Sequence, residues 1–254
     1  MIKKGNVFLW VLILCSCFIM AQESKTEYQI FVKRFIENIK NEDKQAIGDL
    51  IVYPLQREYP IPDIETKEDF IKRYDEIFDS NLKNNILKSD AKKDWSDMGL
   101  RGTMLHNGNI WMDIDGRLTA VNYQSKFETD LRDKLIAEQK KGLDESISFF
   151  KTPICILETP KFKIRIDNLG NNNYRYVSWS GQKEMTEKPD LILYRGELVV
   201  EGIGGNHQYE FKKDNYTYEC SIIVLGDANA PAARLKIYQG EKVIHSENAK
   251  IIAK

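Results

Sequence analysis

From Ile154 to the C-terminus the chain never sustains a helical period, and that constrains its fold more than any other feature. Candidate strands run Ile154–Leu157, Phe162–Asp167, Tyr174–Trp179, Leu191–Tyr194, Glu197–Gly202, Gln208–Phe211, Tyr216–Leu225, Arg234–Tyr238 and Lys242–Ile252. Turn signals separate them at 168–173, Arg195-Gly196, Gly204-Gly205-Asn206, Asp214-Asn215 and Gln239-Gly240. Glycine and asparagine tolerate the positive φ that tight turns demand. Short strands at this spacing predict an antiparallel barrel or sandwich of about seven to nine strands.

The first part of the chain is built differently. Apolar residues at Tyr28, Phe31, Val32, Phe35, Ile36 and Ile39 follow the spacing of an amphipathic helix. Asp43 is placed to cap a second helix that Tyr53-Pro54 ends, because the residue before proline is driven out of the α region. Tyr59-Pro60-Ile61-Pro62 reads as an extended connector. Thr66 opens a third helix whose apolar face is Phe70, Ile71, Tyr74, Ile77 and Phe78. A further helical turn or two is expected over Leu82–Leu87.

The stretch Asp94–Tyr123 carries the strongest local signal. Gly102–Leu105 and Ile110–Asp113 flank His106-Asn107-Gly108-Asn109, whose Asn-Gly pair is favoured at the centre of a type I′ hairpin turn, where both residues need positive φ. A turn at Asp115-Gly116 leads into Leu118–Tyr123, which makes a three-stranded meander. A long charged helix is then expected from Phe127 to about Phe150, stopped by Thr152-Pro153.

The N-terminus predicts export. Lys3 and Lys4 precede the apolar run Val7–Met20, too short for a spanning helix and ended by polar Gln22. Cleavage after Ala21 leaves 35 basic against 38 acidic residues, a net charge of −3. A charge so near balance gives no reason to expect nucleic acid or an anionic membrane surface as partner. The alternative is a lipoprotein signal at Leu14-Cys15-Ser16-Cys17, with a lipid anchor on Cys17. Either route puts Cys155 and Cys220 in an oxidising compartment, where they form a disulfide or stay as buried thiols.

The expected organisation is a signal peptide over 1–21, an α+β domain over 22–125, a linking helix over 126–151 and an all-β domain over 152–254. The first domain carries Phe35, Ile36, Leu50, Ile51-Val52-Tyr53-Pro54-Leu55, Phe70, Tyr74-Asp75-Glu76-Ile77-Phe78 and Gly99-Leu100-Arg101-Gly102. With its helices preceding a curved meander, it resembles the cystatin-like α+β cone of the nuclear-transport-factor-two superfamily over residues 27–123. That resemblance implies a pocket walled by sheet and helices. The second domain, with Tyr176-Val177-Ser178-Trp179 and Gly204-Gly205-Asn206-His207, is similar to uncharacterised secreted bacterial β domains, which implies no activity.

Two classes of function follow. The leading one is non-enzymatic binding of a protein or envelope component, an inhibitor or immunity-type protein being one form. Its candidate contacts are Trp95, Arg101, Trp111, Tyr176, Trp179, His207 and Tyr209. Aromatic residues two apart share a strand face, as an exposed stacking platform or as barrel core. The alternative is a hydrolase or isomerase with Asp94, Asp97 or His106 as acid–base groups in the cone pocket; each is equally a turn or cap residue. Neither class calls for a cofactor. No metal is expected, since Asp113-Ile114-Asp115-Gly116 lacks the further ligands of a calcium loop and paired Cys/His zinc spacing is absent. The Gly202–His207 run precedes a strand, not a helix, so it predicts a tight turn and not a phosphate site.

Overall fold

The computed structural model describes residues 28–202 and 204–254, so the expected signal peptide and Cys17 lie outside the described residues. The protein is α+β. It divides into two compact units, which over the described residues comprise 28–57 with 62–130, and 58–61 with 131–254.

In the first unit residues 28–40 form α1, followed by α2 (Lys44–Leu50), α3 (Lys67–Ile77) and α4 (Ser80–Lys88). Each later helix starts on a residue that satisfies an orphan N–H. The side chains of Asp43, Thr66 and Asp79 accept from Ala46, Asp69 and Leu82 respectively. The expected meander is present as β2 (Thr103–Leu105), β3 (Ile110–Met112) and β4 (Leu118–Val121). A fourth strand, β1 (Trp95–Asp97), completes an antiparallel sheet in the order β1-β2-β3-β4. The core joins helices to sheet through Phe35, whose ring meets Trp95 edge-on at 6.2 Å and Phe78 at 6.4 Å.

Two expectations here need correcting. The β2–β3 turn spans the four expected residues His106–Asn109, but positive φ falls on His106 and Gly108 and not on Asn107, so Asn107-Gly108 is not the centre of a type I′ turn. The N–H groups of Gly108 and Asn109 both donate to the Leu105 carbonyl, which stabilises the wider loop. The helix after the sheet, α5, spans Lys126–Lys141 and does not run on to Phe150. Gly142 interrupts it, and Asp144 then caps a separate 3-10 turn over Glu145–Ile147. Ser125 opens α5 by accepting from the Glu128 N–H, and the buried Glu128 carboxylate grips Arg57. The Arg57 guanidinium also donates to the carbonyls of Val121 (2.5 Å) and Tyr123 (3.1 Å). One buried ion pair thus holds the end of β4, the start of α5 and the segment after α2 together.

The second unit is an eight-stranded antiparallel barrel. Its strands are β5 (Thr152–Glu158), β6 (Phe162–Asn168), β7 (Tyr174–Ser180), β8 (Leu191–Glu201), β9 (Asn206–Lys213), β10 (Tyr216–Ile222), β11 (Ala233–Gln239) and β12 (Lys242–Ala253). Each pairs with the next, and β12 closes on β5. The nine expected strands become eight because Leu191–Tyr194 and Glu197–Gly202 are one strand. Arg195 does adopt positive φ, but in a bulge and not in a turn.

Alternation along the strands fills the interior with Leu157, Ile164, Ile166, Tyr176, Phe211 and Leu235. On the outer face of β6 and β7, charges are buried. Asp167 accepts from Arg165 at 2.7 Å and Arg175 at 2.6 Å. Arg175 also donates to the carbonyls of Ile147 and Phe149, and the Arg165 guanidinium lies 4.6 Å from the Phe150 ring centre. The residues expected to prolong the long helix instead close over this triad. Among the described residues no helix is long and apolar enough to cross a membrane.

Candidate binding site

The sequence candidates of the first unit are mostly committed to its own structure. Asp94 accepts from the Asp90 N–H at 2.7 Å and Asp97 from the Gly99 N–H at 2.8 Å, so each carboxylate fixes a turn. His106 is an exposed turn residue whose N–H bonds the Asp94 carbonyl. Trp95 is buried, and its indole N–H donates to Ser89 Oγ at 3.0 Å. Trp111 lies over the turn glycine, where a Cβ on Gly108 would stand 2.9 Å from the indole nitrogen. Arg101 sits 5.7 Å from the Trp111 ring centre, a cation–π contact. A hollow of about 390 Å³ does open beside Asp97, lined by Tyr28, Gln29, Lys92, Ser96 and Thr103. Neither His106 nor Asp94 lines it.

In the barrel the aromatic candidates are core and not an exposed platform. Tyr176 and Tyr209 point inward, Tyr176 packing on Phe211 at 5.5 Å and Tyr209 edge-on to Tyr174 at 5.0 Å. Trp179 faces outward but is buried with Ile147 and Val177, its N–H donating to the Glu187 carbonyl. His207 stays partly exposed beside Tyr209 at 5.7 Å. Cys155 and Cys220 are two free buried thiols and not the disulfide alternative. Cys155 lies opposite Ile166, and Cys220 between Tyr209 and Leu235. Burial pushes the Cys155 thiol up to about 12 and the Cys220 thiol well above its ordinary value, which leaves neither poised as a nucleophile. Among the described residues no group of three or more His, Cys, Asp or Glu side chains is arranged to hold a metal ion.

A larger hollow was not legible from motifs. It is a groove of about 840 Å³, beside the point where β12 leaves β11 and joins β5. Ala249 still faces Ala233 on β11, whereas the next residue, Lys250, faces Glu158 on β5. Strands that change partners leave their side chains diverging, and the β7–β8 loop and the residues before β11 wall the gap. Phe162, Pro160, Pro231, Ala232 and Ile251 provide apolar lining. Charged side chains line it too: Lys163 pairs with Glu184 at 3.3 Å, and Glu158 stands opposite both Lys163 and Lys250.

One flank of the groove carries a polar cluster that was also missed. Phe162 packs edge-on against His245 at 6.0 Å. Glu247 stands 3.5 Å from His245 Nε2 and 3.4 Å from Lys161 Nζ. Burial pushes the Glu247 carboxyl up, but the Thr159 hydroxyl, His245 and Lys161 outweigh it, and the net shift is downward. The available signal was the alternation His245, Glu247, Ala249, Ile251, which shows one inward face of β12 turning from polar to apolar. This assembly can seat an apolar group against Phe162 and Ile251 and meet a polar one at the rim. No protein-family model matches the chain, and neither does any curated protein or any solved structure.

Proposed function

We propose that the protein is an exported, non-enzymatic binding protein that holds part of a protein or envelope component in the barrel groove. The observation that carries this reading is the groove itself. At about 840 Å³ it is of the size that small-molecule and anchor-residue sites occupy. Its apolar lining with ion-paired charges at the rim repeats the anatomy of recognition surfaces. Phe162 supplies the aromatic anchor that such surfaces favour.

Other observations lean the same way. Asp94 and Asp97 bond backbone N–H groups and His106 stands exposed on a turn, so both expected carboxylates have structural partners. Export rests on the basic and then apolar segment from Lys3 to Met20. The cone-superfamily assignment of the first unit rests on its order of helices and antiparallel sheet.

The test uses a groove-filling variant. Ala232 is exposed in the groove wall, so Ala232→Trp occupies the space without touching the core. Immobilised mature protein and a control with Trp in place of exposed Glu241, on the β11–β12 turn, are exposed to native envelope extract. A species retained by the mature protein and by the control, but lost with Ala232→Trp, is the expected result. Equal retention by all three removes the groove from the function.

A further inference from the structure

Strand β8 changes neighbours along its length. It pairs with β7 only as far as Gly196, which faces Tyr174, whereas Glu197–Glu201 pairs with β9 alone among the described residues. The departure is encoded in the bulge. Leu193 faces Tyr176 and Gly196 faces Tyr174, so Tyr194 and Arg195 stand against the single residue Arg175. Arg195 takes φ 61°, which swings the strand away from β7. Gly196 completes the bend, since a Cβ there would lie 2.1 Å from the Phe211 ring.

The consequence is a free strand edge on an otherwise closed barrel. In an antiparallel pair alternate residues direct their N–H and C=O groups to one neighbour, so the others along Glu197–Glu201 face away from β9. All five residues are exposed, with Leu198 at 41%, Val199 at 37% and Val200 at 65%. Leu198 faces Tyr209 and Val200 faces His207, which puts both on the core-side face but beyond the cover of β7. A hollow of about 370 Å³, lined by Asn172, Tyr174, Glu197 and Leu198, opens beside this edge. An exposed apolar edge next to a side-chain pocket is the combination used in recognition by strand addition.

The geometry points to an extended, basic polypeptide segment docking as an added strand along Glu197–Glu201, with one apolar side chain in the hollow. Charge selects this occupant. The run is Glu-Leu-Val-Val-Glu, so each end of the edge carries a carboxylate, and Glu210 faces Glu197 across the β8–β9 ladder. A segment with lysine or arginine flanking an apolar centre meets these charges favourably. A second copy of the chain does not. Antiparallel self-pairing centred on Val199 sets glutamate against glutamate at both ends, the arrangement by which edges resist self-association. The edge shares no lining residue with the 840 Å³ groove, and the inference stands whether or not the groove binds anything.

The experiment titrates the full-length mature protein with a fluorescent, end-capped peptide alternating lysine and valine, and with a glutamate–valine analogue. Anisotropy reads affinity, and amide hydrogen exchange reads the place of binding. The expected result is saturable binding of the basic peptide alone, with protection gained over 197–201. Affinity falls about tenfold in Glu197→Lys/Glu201→Lys and is unchanged in Ala232→Trp. If charge reversal impairs folding, Glu197→Gln/Glu201→Gln serves instead, with about threefold weakening expected. The inference is overturned by absence of saturation at millimolar peptide, by equal binding of the acidic analogue, or by protection that excludes 197–201. It is overturned equally by a concentration-dependent dimer that protects this edge and excludes the peptide.

Discussion

Asp167 anchors the buried charge on the outer face of β6 and β7. Its two oxygens take the Arg165 Nε–H and an Arg175 Nη2–H, and all three side chains are almost fully buried. Removing one member of such a network strands the others without water, which costs about 3–5 kcal/mol. Asp167→Asn is therefore expected to lower the unfolding free energy by about 3–5 kcal/mol, read from urea denaturation. Arg101→Ala, which removes only an exposed cation–π contact, is expected to cost less than about 1 kcal/mol. Similar midpoints for the two variants would refute this ranking. The thiols give a second test at this scale. Because burial holds Cys155 near 12, both cysteines should resist iodoacetamide in the native protein and react promptly in denaturant. Rapid native alkylation of either would contradict their placement in the barrel core. In the sequence these residues gave little away: Arg165, Asp167 and Arg175 look like solvent-facing positions of alternating strands. Tertiary cover makes them interior: Ile147, Phe149 and Phe150 close over them, and Gln139 meets Arg165.

The element that most departs from its local signal is β8. Arg195-Gly196 has the composition of a turn, because a residue at positive φ followed by glycine suits hairpin and bulge alike. What decides between them is non-local, namely the Phe211 ring lying where a side chain at position 196 would project. Gly196→Ala should accordingly cost about 1–3 kcal/mol by overpacking. Part of that loss should return in Gly196→Ala/Phe211→Leu, since the smaller side chain vacates the clash. Additive losses in the double variant would mean that the glycine answers to backbone conformation and not to Phe211. Helix starts were far more legible. Asp43 and Thr66 act as caps where their types and positions predict, because capping is settled within one turn of chain. Strand β1 was not legible, as three residues beginning at Trp95 are too few to show alternation.

At the scale of the whole molecule, the barrel carries acid-sensitive contacts. Burial pushes the Glu219 carboxyl up, yet bonds from Tyr238, Lys236 and Ser221 outweigh it and hold it below its ordinary 4.5. A carboxylate depressed in the folded state binds fewer protons there than in the unfolded chain. Its stabilisation is therefore present above about pH 4.5 and is lost as pH falls through the lower folded value. Glu247 is depressed in the same direction. Glu219→Gln should flatten the fall in melting temperature between neutral and acid pH, and a profile parallel to that of the parent protein would contradict the assignment. The large-scale plan of helices, meander and an antiparallel all-β domain was readable, because each rests on periodicity or turn chemistry repeated many times; closure into a barrel and not a sandwich depends on β12 meeting β5, which no local signal encodes. The groove was not, because its lining comes from four separate stretches and no short motif encodes it.

Site-specific photo-crosslinking shows whether the groove is occupied. Gln182 is exposed at the groove, so a photoreactive residue introduced there, with Glu241 on the β11–β12 turn as control, reports what enters it in intact cells. The groove account predicts a discrete adduct at position 182 that is absent at 241 and abolished by Ala232→Trp. An adduct at 182 that persists in Ala232→Trp, or equal labelling at both positions, would contradict it.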